Sequence, residues 1–155
     1  IDDFKKIADD FNVKGALCKK HGIKFAYHNH DYSFKKIDGE IPQDVMMEIT
    51  DPSLVDYEMD IYWVITGGAD PIEYFKKYPG RFTLGHLKDR LKNALPSETN
   101  ASCTLGTGSI DYNKILPIAK ADGMDYFFIE QERYDGTTPI ECVKESAHYL
   151  KSLKI

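Results

Sequence analysis

Two histidines stand one residue apart in "YHNHDYSF", residues 27 to 34, directly behind the apolar run "IKFA". Side chains of an extended segment alternate between faces, so Tyr27 and Asn29 point one way and His28 and His30 the other. Two imidazoles on one face of a strand end suit metal ligation, hydrogen bonding to a substrate, or a merely solvated edge. Three further apolar runs end in a polar, potentially ligating residue: "VDYEMD" at Asp60, "RFTLGH" at His86 and "YFFIE" at Glu130. One such residue alone is ordinarily the start of a loop. The set is different, because parallel α/β folds gather ligands at the carboxyl ends of their strands. His28 (or His30), Asp60, His86 and Glu130 at successive strand ends would then converge on one point. A mixed nitrogen and oxygen set with no thiolate suits Mn²⁺, Zn²⁺, Co²⁺ or Mg²⁺.

The elements that must position these residues alternate along the chain. Residues 2 to 21 place Phe4, Ile7, Ala8, Phe11, Ala16 and Leu17 near helical spacing, with Gly15 weakening the middle. "GIKFAYHNH" reads as a strand and "PQDVMMEIT" as a short helix, and "DPSL" is a turn. "VDYEMDIYW" reads as the second strand, followed by the loop "ITGGADP" and the helix "IEYFKKYP". "RFTLGHLKD" is the third strand, and a polar stretch over residues 89 to 109 ends in "LGTGS". The helix "DYNKILPIAKADG" with Pro117 inside it, the strand "MDYFFIEQE" and the helix "PIECVKESAHYLKSLK" complete the chain. Strand and helix alternating in this way predict βα units around a parallel sheet. Phe25, Phe82, Phe127 and Phe128 are expected in its core.

Composition removes several function classes. A chain of 155 residues fits one domain, 1–155, with room for a real core. Its formal charge of −5 offers no basic field for nucleic acid. No apolar run approaches the roughly 20 residues a bilayer span requires, and no segment reads as a signal peptide. Cys18, Cys103 and Cys142 are far apart and form no C-x-x-C pair, so a disulfide framework or structural zinc site is not expected. The N-terminus reads as missing, which leaves the compartment open between cytoplasm and bacterial periplasm.

Around the strand ends, Lys88 shares His86's side of its strand and is suited to holding a substrate oxygen or a phosphate. Arg90 and Arg133 are weaker candidates for the same task. Glu132 lies on the same side as Glu130 and would reach substrate. "LGTGS" offers backbone donors for an anion, though a lone G-x-G is more often a turn. Asp111 reads as a helix-start carboxylate.

Taken in order, "YHNHDYSF", "VDYEMDIYWVITGGADP", "GRFTLGHLKD", "LGTGSIDYNKIL" and "YFFIEQERYDG" resemble the sugar phosphate isomerase/epimerase family of the xylose isomerase-like TIM barrels. A full barrel has eight βα units over about 250 residues. The resemblance therefore implies that this chain covers about the last four units of a (β/α)8 barrel, the ring being completed by the remaining half or by a second copy. It also implies a divalent metal held by Asp60, His86 and Glu130, with His28 standing where the family carries a further glutamate. The implied activity is that of an isomerase or epimerase moving a proton next to a carbonyl of a sugar or sugar phosphate, with Glu130 and His28 as bases and His30, Trp63, Lys88 and Glu132 contacting substrate. Histidine in place of one glutamate breaks the carboxylate pair that flanks the sugar in ketose 3-epimerases. Trp63 likewise replaces a substrate-binding histidine. These departures keep two alternatives open: a lyase or dehydratase acting on a keto sugar or 3-keto glycoside, and a non-catalytic carbohydrate-binding remnant.

Overall fold

The computed structural model describes residues 1–153. In chain order the elements are α1 (Asp2–Lys20), β1 (Phe25–His28), a 3₁₀ turn (Asp31–Phe34), α2 (Pro42–Ile49), β2 (Val55–Asp60), α3 (Ile61–Thr66) and α4 (Pro71–Lys77). They continue with β3 (Phe82–Leu87), β4 (Asp89–Arg90), β5 (Ser102–Cys103), α5 (Tyr112–Ala121), β6 (Tyr126–Ile129) and α6 (Pro139–Ser152). Four strands form one parallel sheet in the order β1-β2-β3-β6, with β4 and β5 as a small antiparallel pair. The expected α/β architecture with a parallel sheet is therefore present. Lys154, the end of the last expected helix, lies outside the described residues.

Alternation along β2 shows how the sheet is used. Val55, Tyr57 and Met59 are buried against the helices with Phe75, Phe82, Leu87, Leu116 and Met124, while Asp56 and Glu58 lie on the opposite face. Gly15 lets α1 approach this layer, since a Cβ there would collide with the Leu54 carbonyl. It therefore serves the packing of a continuous helix rather than interrupting it.

Two expectations change. Strand β2 stops at Asp60 instead of running to Trp63, because the Asp60 carboxylate accepts the Trp63 N–H at 3.0 Å and starts α3. Ile65 and Thr66 join that helix instead of the loop. Phe128 is also not core: with Tyr126 it lies on the helix-free face of β6, the two being 47% and 64% exposed. That face is the one a closed barrel would fill, and β1 and β6 leave both edges of the described sheet unpaired.

Candidate active site

Register brings the chemistry together. Tyr57 pairs with Phe82, but a one-residue irregularity follows, so that Asp60 pairs with His86 instead of Gly85. A single-residue slip exchanges the faces of a strand, and this one turns His86 toward the carboxylates. Next door, His28 pairs with Glu58 and His86 with Phe128. Asn29 extends the β1–β2 ladder with its side chain, donating to the Asp60 carbonyl at 3.2 Å and accepting the Asp60 N–H at 3.0 Å. It is buried, and it fixes the end of β1 beside Asp60.

His28, Asp60 and His86 each present a ligand atom, all within 4.8 Å of one another. The imidazoles of His28 and His86 meet edge to face with ring centres 4.5 Å apart. Asp60 is fully buried; one oxygen caps α3, while Oδ2 and His86 Nδ1 have no hydrogen-bond partner. Buried polar atoms are seldom left unpaired, and two of them facing one point with a second imidazole beside them suit a divalent cation. Burial pushes the Asp60 carboxyl up to about 6, against the pull of Lys88 and of the Trp63 N–H. Burial, with His86 nearby, holds the His28 imidazole below its ordinary value despite Glu58. Burial thus favours the neutral ring, which keeps a lone pair.

Glu130 stands beside this trio, with Oε2 3.5 Å from His86 Nδ1, but its carboxylate is engaged by Lys88 at 2.6 Å. Lys88 is completely buried and not a solvated loop residue. Its ammonium also reaches Glu132 at 2.8 Å and Asp60 at 3.6 Å, and lies over the rings of Tyr62 and Trp63. Burial opposes its charge, but Asp60, Glu130 and Glu132 outweigh that and hold its pKa above the ordinary lysine value. In turn Lys88 holds the Glu130 carboxyl below its usual range although burial pushes the other way. The Tyr112 hydroxyl fastens the lysine's backbone, accepting its N–H at 3.1 Å and donating to its carbonyl at 2.8 Å.

The remaining candidates divide. His30 lies 5.1 Å from His28, stacks on Tyr32 at 5.7 Å and approaches Trp63 at 5.5 Å, forming an aromatic wall beside the trio. Arg90 is unsuited to substrate: its buried guanidinium donates to the carbonyls of Leu95 and Glu98 and to the Thr66 hydroxyl. Arg133 is paired with Asp135 and Glu98. "LGTGS" does wrap an anion, but the anion is Asp89, whose carboxylate accepts the N–H groups of Gly106, Gly108 and Ile110 at 2.9 to 3.1 Å. Asp111 caps α5 as expected. Sequence reasoning passed over Glu58, Asn29, Tyr112 and Asp89. Glu58 carried a usable signal, since it precedes Asp60 by two in a strand and so shares its face.

No protein-family model matches the chain. An inosose dehydratase of Clostridium perfringens is 28% identical over 164 aligned residues, covering 97% of this chain and 54% of that protein. A solved sugar phosphate isomerase/epimerase from Parabacteroides distasonis superposes with a TM-score of 0.83 at 32% identity, over 97% of this chain and 52% of the other. The fold is that of half of a xylose isomerase-like TIM barrel. A xylose isomerase-like TIM barrel/4-hydroxyphenylpyruvate dioxygenase fusion protein has the same fold, with a TM-score of 0.70 at 17% identity over 98% of this chain and 25% of its own. The chain spans about half the length of the curated relatives it matches. Among its described residues no helix is long and apolar enough to cross a membrane.

Proposed function

We propose that the half-barrel carries the metal centre of a divalent-metal-dependent carbohydrate enzyme that abstracts a proton next to a carbonyl, with β-elimination of water from a keto polyol as the favoured outcome. The observation that carries this reading is the juxtaposition of the His28, Asp60 and His86 trio with a carboxylate, Glu130, held ionised by a buried ammonium. His28, Asp60 and His86 would hold the ion, with Glu130 as a further ligand or as base. Mn²⁺, Zn²⁺, Co²⁺ and Mg²⁺ all fit an imidazole and carboxylate set. Once bound, the ion supplies Lewis-acid polarisation of the substrate carbonyl and the adjacent hydroxyl.

The chain's own groups do the rest. Glu130 is ionised at neutral pH and takes the proton from the carbon next to the carbonyl. The electron pair left on that carbon forms the double bond as the β C–O bond breaks, and Glu130 returns its proton to the departing hydroxyl, which leaves as water. Lys88 keeps Glu130 charged and donates to a substrate oxygen, and the Glu132 carboxylate accepts from a substrate hydroxyl. Trp63 and His30 pack against the apolar face of the ring. One carboxylate acting on one face suits elimination, and histidine at position 28 provides no second carboxylate for the opposite face. The inosose dehydratase relatives point the same way.

Isomerisation or epimerisation is the second reading. The solved isomerase/epimerase favours it, and His28, whose burial favours the neutral ring, supplies an alternative base. A carbohydrate-binding remnant without turnover would keep affinity and lose both outcomes. We further propose that residues 1–155 are a single domain, the C-terminal half of the barrel, closed by four more βα units or a second copy along the open edges of β1 and β6. The test is incubation of the Mn²⁺- or Zn²⁺-loaded protein with inosose in D₂O, followed by NMR. Loss of water from the ring, abolished by Glu130→Gln, is expected. Deuterium entering without loss of water selects isomerase chemistry, and no exchange alongside measurable binding selects the remnant.

A further inference from the structure

Glu58 has no role in the chemistry above, yet it touches both histidines of the trio. Its Oε2 is hydrogen-bonded to His28 Nδ1 at 3.2 Å, and its Oε1 lies 3.5 Å from His86 Nε2. The other nitrogen of each ring faces Asp60 Oδ2, His28 Nε2 at 3.6 Å and His86 Nδ1 at 3.8 Å, and His86 Nδ1 also lies 3.5 Å from Glu130 Oε2. The two imidazoles thus bridge two carboxylates, with one nitrogen of each ring toward Glu58 and one toward Asp60. Glu58 is 19% exposed and the rings 24% and 22%, so solvent reaches the Glu58 side. Asp60 Oδ2 and His86 Nδ1 are the buried, unpaired atoms.

We infer that Glu58 is a positioning residue that sets the tautomers of both histidines. A carboxylate only accepts hydrogen bonds, and Glu58 is the acceptor at hand: Asp60 Oδ2 lies farther from each ring and Glu130 is engaged by Lys88, so each ring places its N–H toward Glu58, on Nδ1 in His28 and on Nε2 in His86. Each then turns a lone pair toward Asp60. Without that constraint a neutral imidazole is free to put its proton on the nitrogen that must ligate. A carboxylate on the far nitrogen of a ligating histidine also makes the ring more basic and fixes its orientation. Glu58 thereby returns to the site, from the neighbouring strand, a carboxylate that position 28 lacks. This inference rests on the proposed metal centre, and its test separates the two.

The tautomers are read by two-bond ¹H–¹⁵N correlation spectra of the metal-free protein at neutral pH, and affinity by calorimetric titration with Zn²⁺ alone. Wild type is expected to show His28 protonated on Nδ1 and His86 on Nε2. Glu58→Gln offers one acceptor and one donor group, so one of the two rings should invert, with Zn²⁺ binding weakened about tenfold to a hundredfold. Glu58→Asp keeps an acceptor-only group and should retain both tautomers; it also serves if the glutamine variant fails to fold. Unchanged tautomers in Glu58→Gln, or opposite tautomers in wild type, overturn the role of Glu58 whether or not Zn²⁺ binds. Absence of Zn²⁺ binding in wild type overturns the metal centre, and the spectra still decide the tautomers.

Discussion

Replacing Lys88 with methionine removes the ammonium while keeping an unbranched side chain of similar length. Three carboxylates lose their partner, and they differ in what they can do about it. Glu130 and Glu132 are 37% and 47% exposed and rehydrate, so each contributes on the surface scale of about 0–1 kcal/mol. Asp60 is fully buried and must take up a proton. Its carboxyl already sits at about 6, above its ordinary value, so its contribution to stability is full at low pH and is lost as pH rises through that value. Without Lys88 the upper limit of that loss moves higher, and the additional penalty is capped at about 1.4 kcal/mol for each pH unit above 6. At about pH 7.5 this amounts to ~2 kcal/mol from Asp60, giving a total loss of about 2–4 kcal/mol. Near pH 5 Asp60 is protonated with or without the lysine, and about 0–2 kcal/mol remains. For a chain of this size the loss corresponds to a Tm lowered by about 5–10 °C at the higher pH. Urea and thermal unfolding in EDTA at both pH values measure it. An equal loss at both, or none, would refute the assignment of Lys88 as the counter-charge of a buried Asp60.

Two further outcomes follow from the same groups. Zn²⁺ or Mn²⁺ affinity should be flat above neutrality and fall about tenfold per pH unit below 6, because protons compete for Asp60; titration calorimetry across pH 5 to 8 measures this, and a flat profile down to pH 5 speaks against Asp60 as a ligand. Asp89→Ala removes the acceptor shared by the N–H groups of Arg90, Gly106, Gly108 and Ile110, so a loss above about 3 kcal/mol with early proteolysis near Gly106 is expected, whereas a loss under about 1 kcal/mol would show that the loop holds itself.

How much was legible in the sequence depended on the range of the interaction. The βα alternation and the four polar strand ends are local patterns, and they located His28, Asp60, His86 and Glu130 on one end of the sheet. Where β2 stops was not legible, because "MDIYW" is apolar enough for a strand, and only the Asp60 side chain closing on the Trp63 N–H decides for a helix. The slip between β2 and β3 that sets His86 opposite Asp60 depends on pairing between strands, which no single segment contains. The burial of Lys88 was not legible, because Tyr62, Trp63 and Tyr112, which surround it, stand on other elements. Phe128 looked like core because alternation does not tell which face the helices cover. Glu58 was within reach of the period-two rule, but a strand-interior glutamate is usually solvated, and its two histidine partners lie on the flanking strands.

The central claim is that three strand ends form one divalent-metal site, and the most direct measurement is stoichiometric metal content after Mn²⁺ or Zn²⁺ loading, on the wild-type chain and on His86→Ala beside it. One ion per chain, lost in the variant while the fold is retained, is the expected result. A folded wild-type chain that holds no ion, or a variant that holds it equally well, would contradict the site.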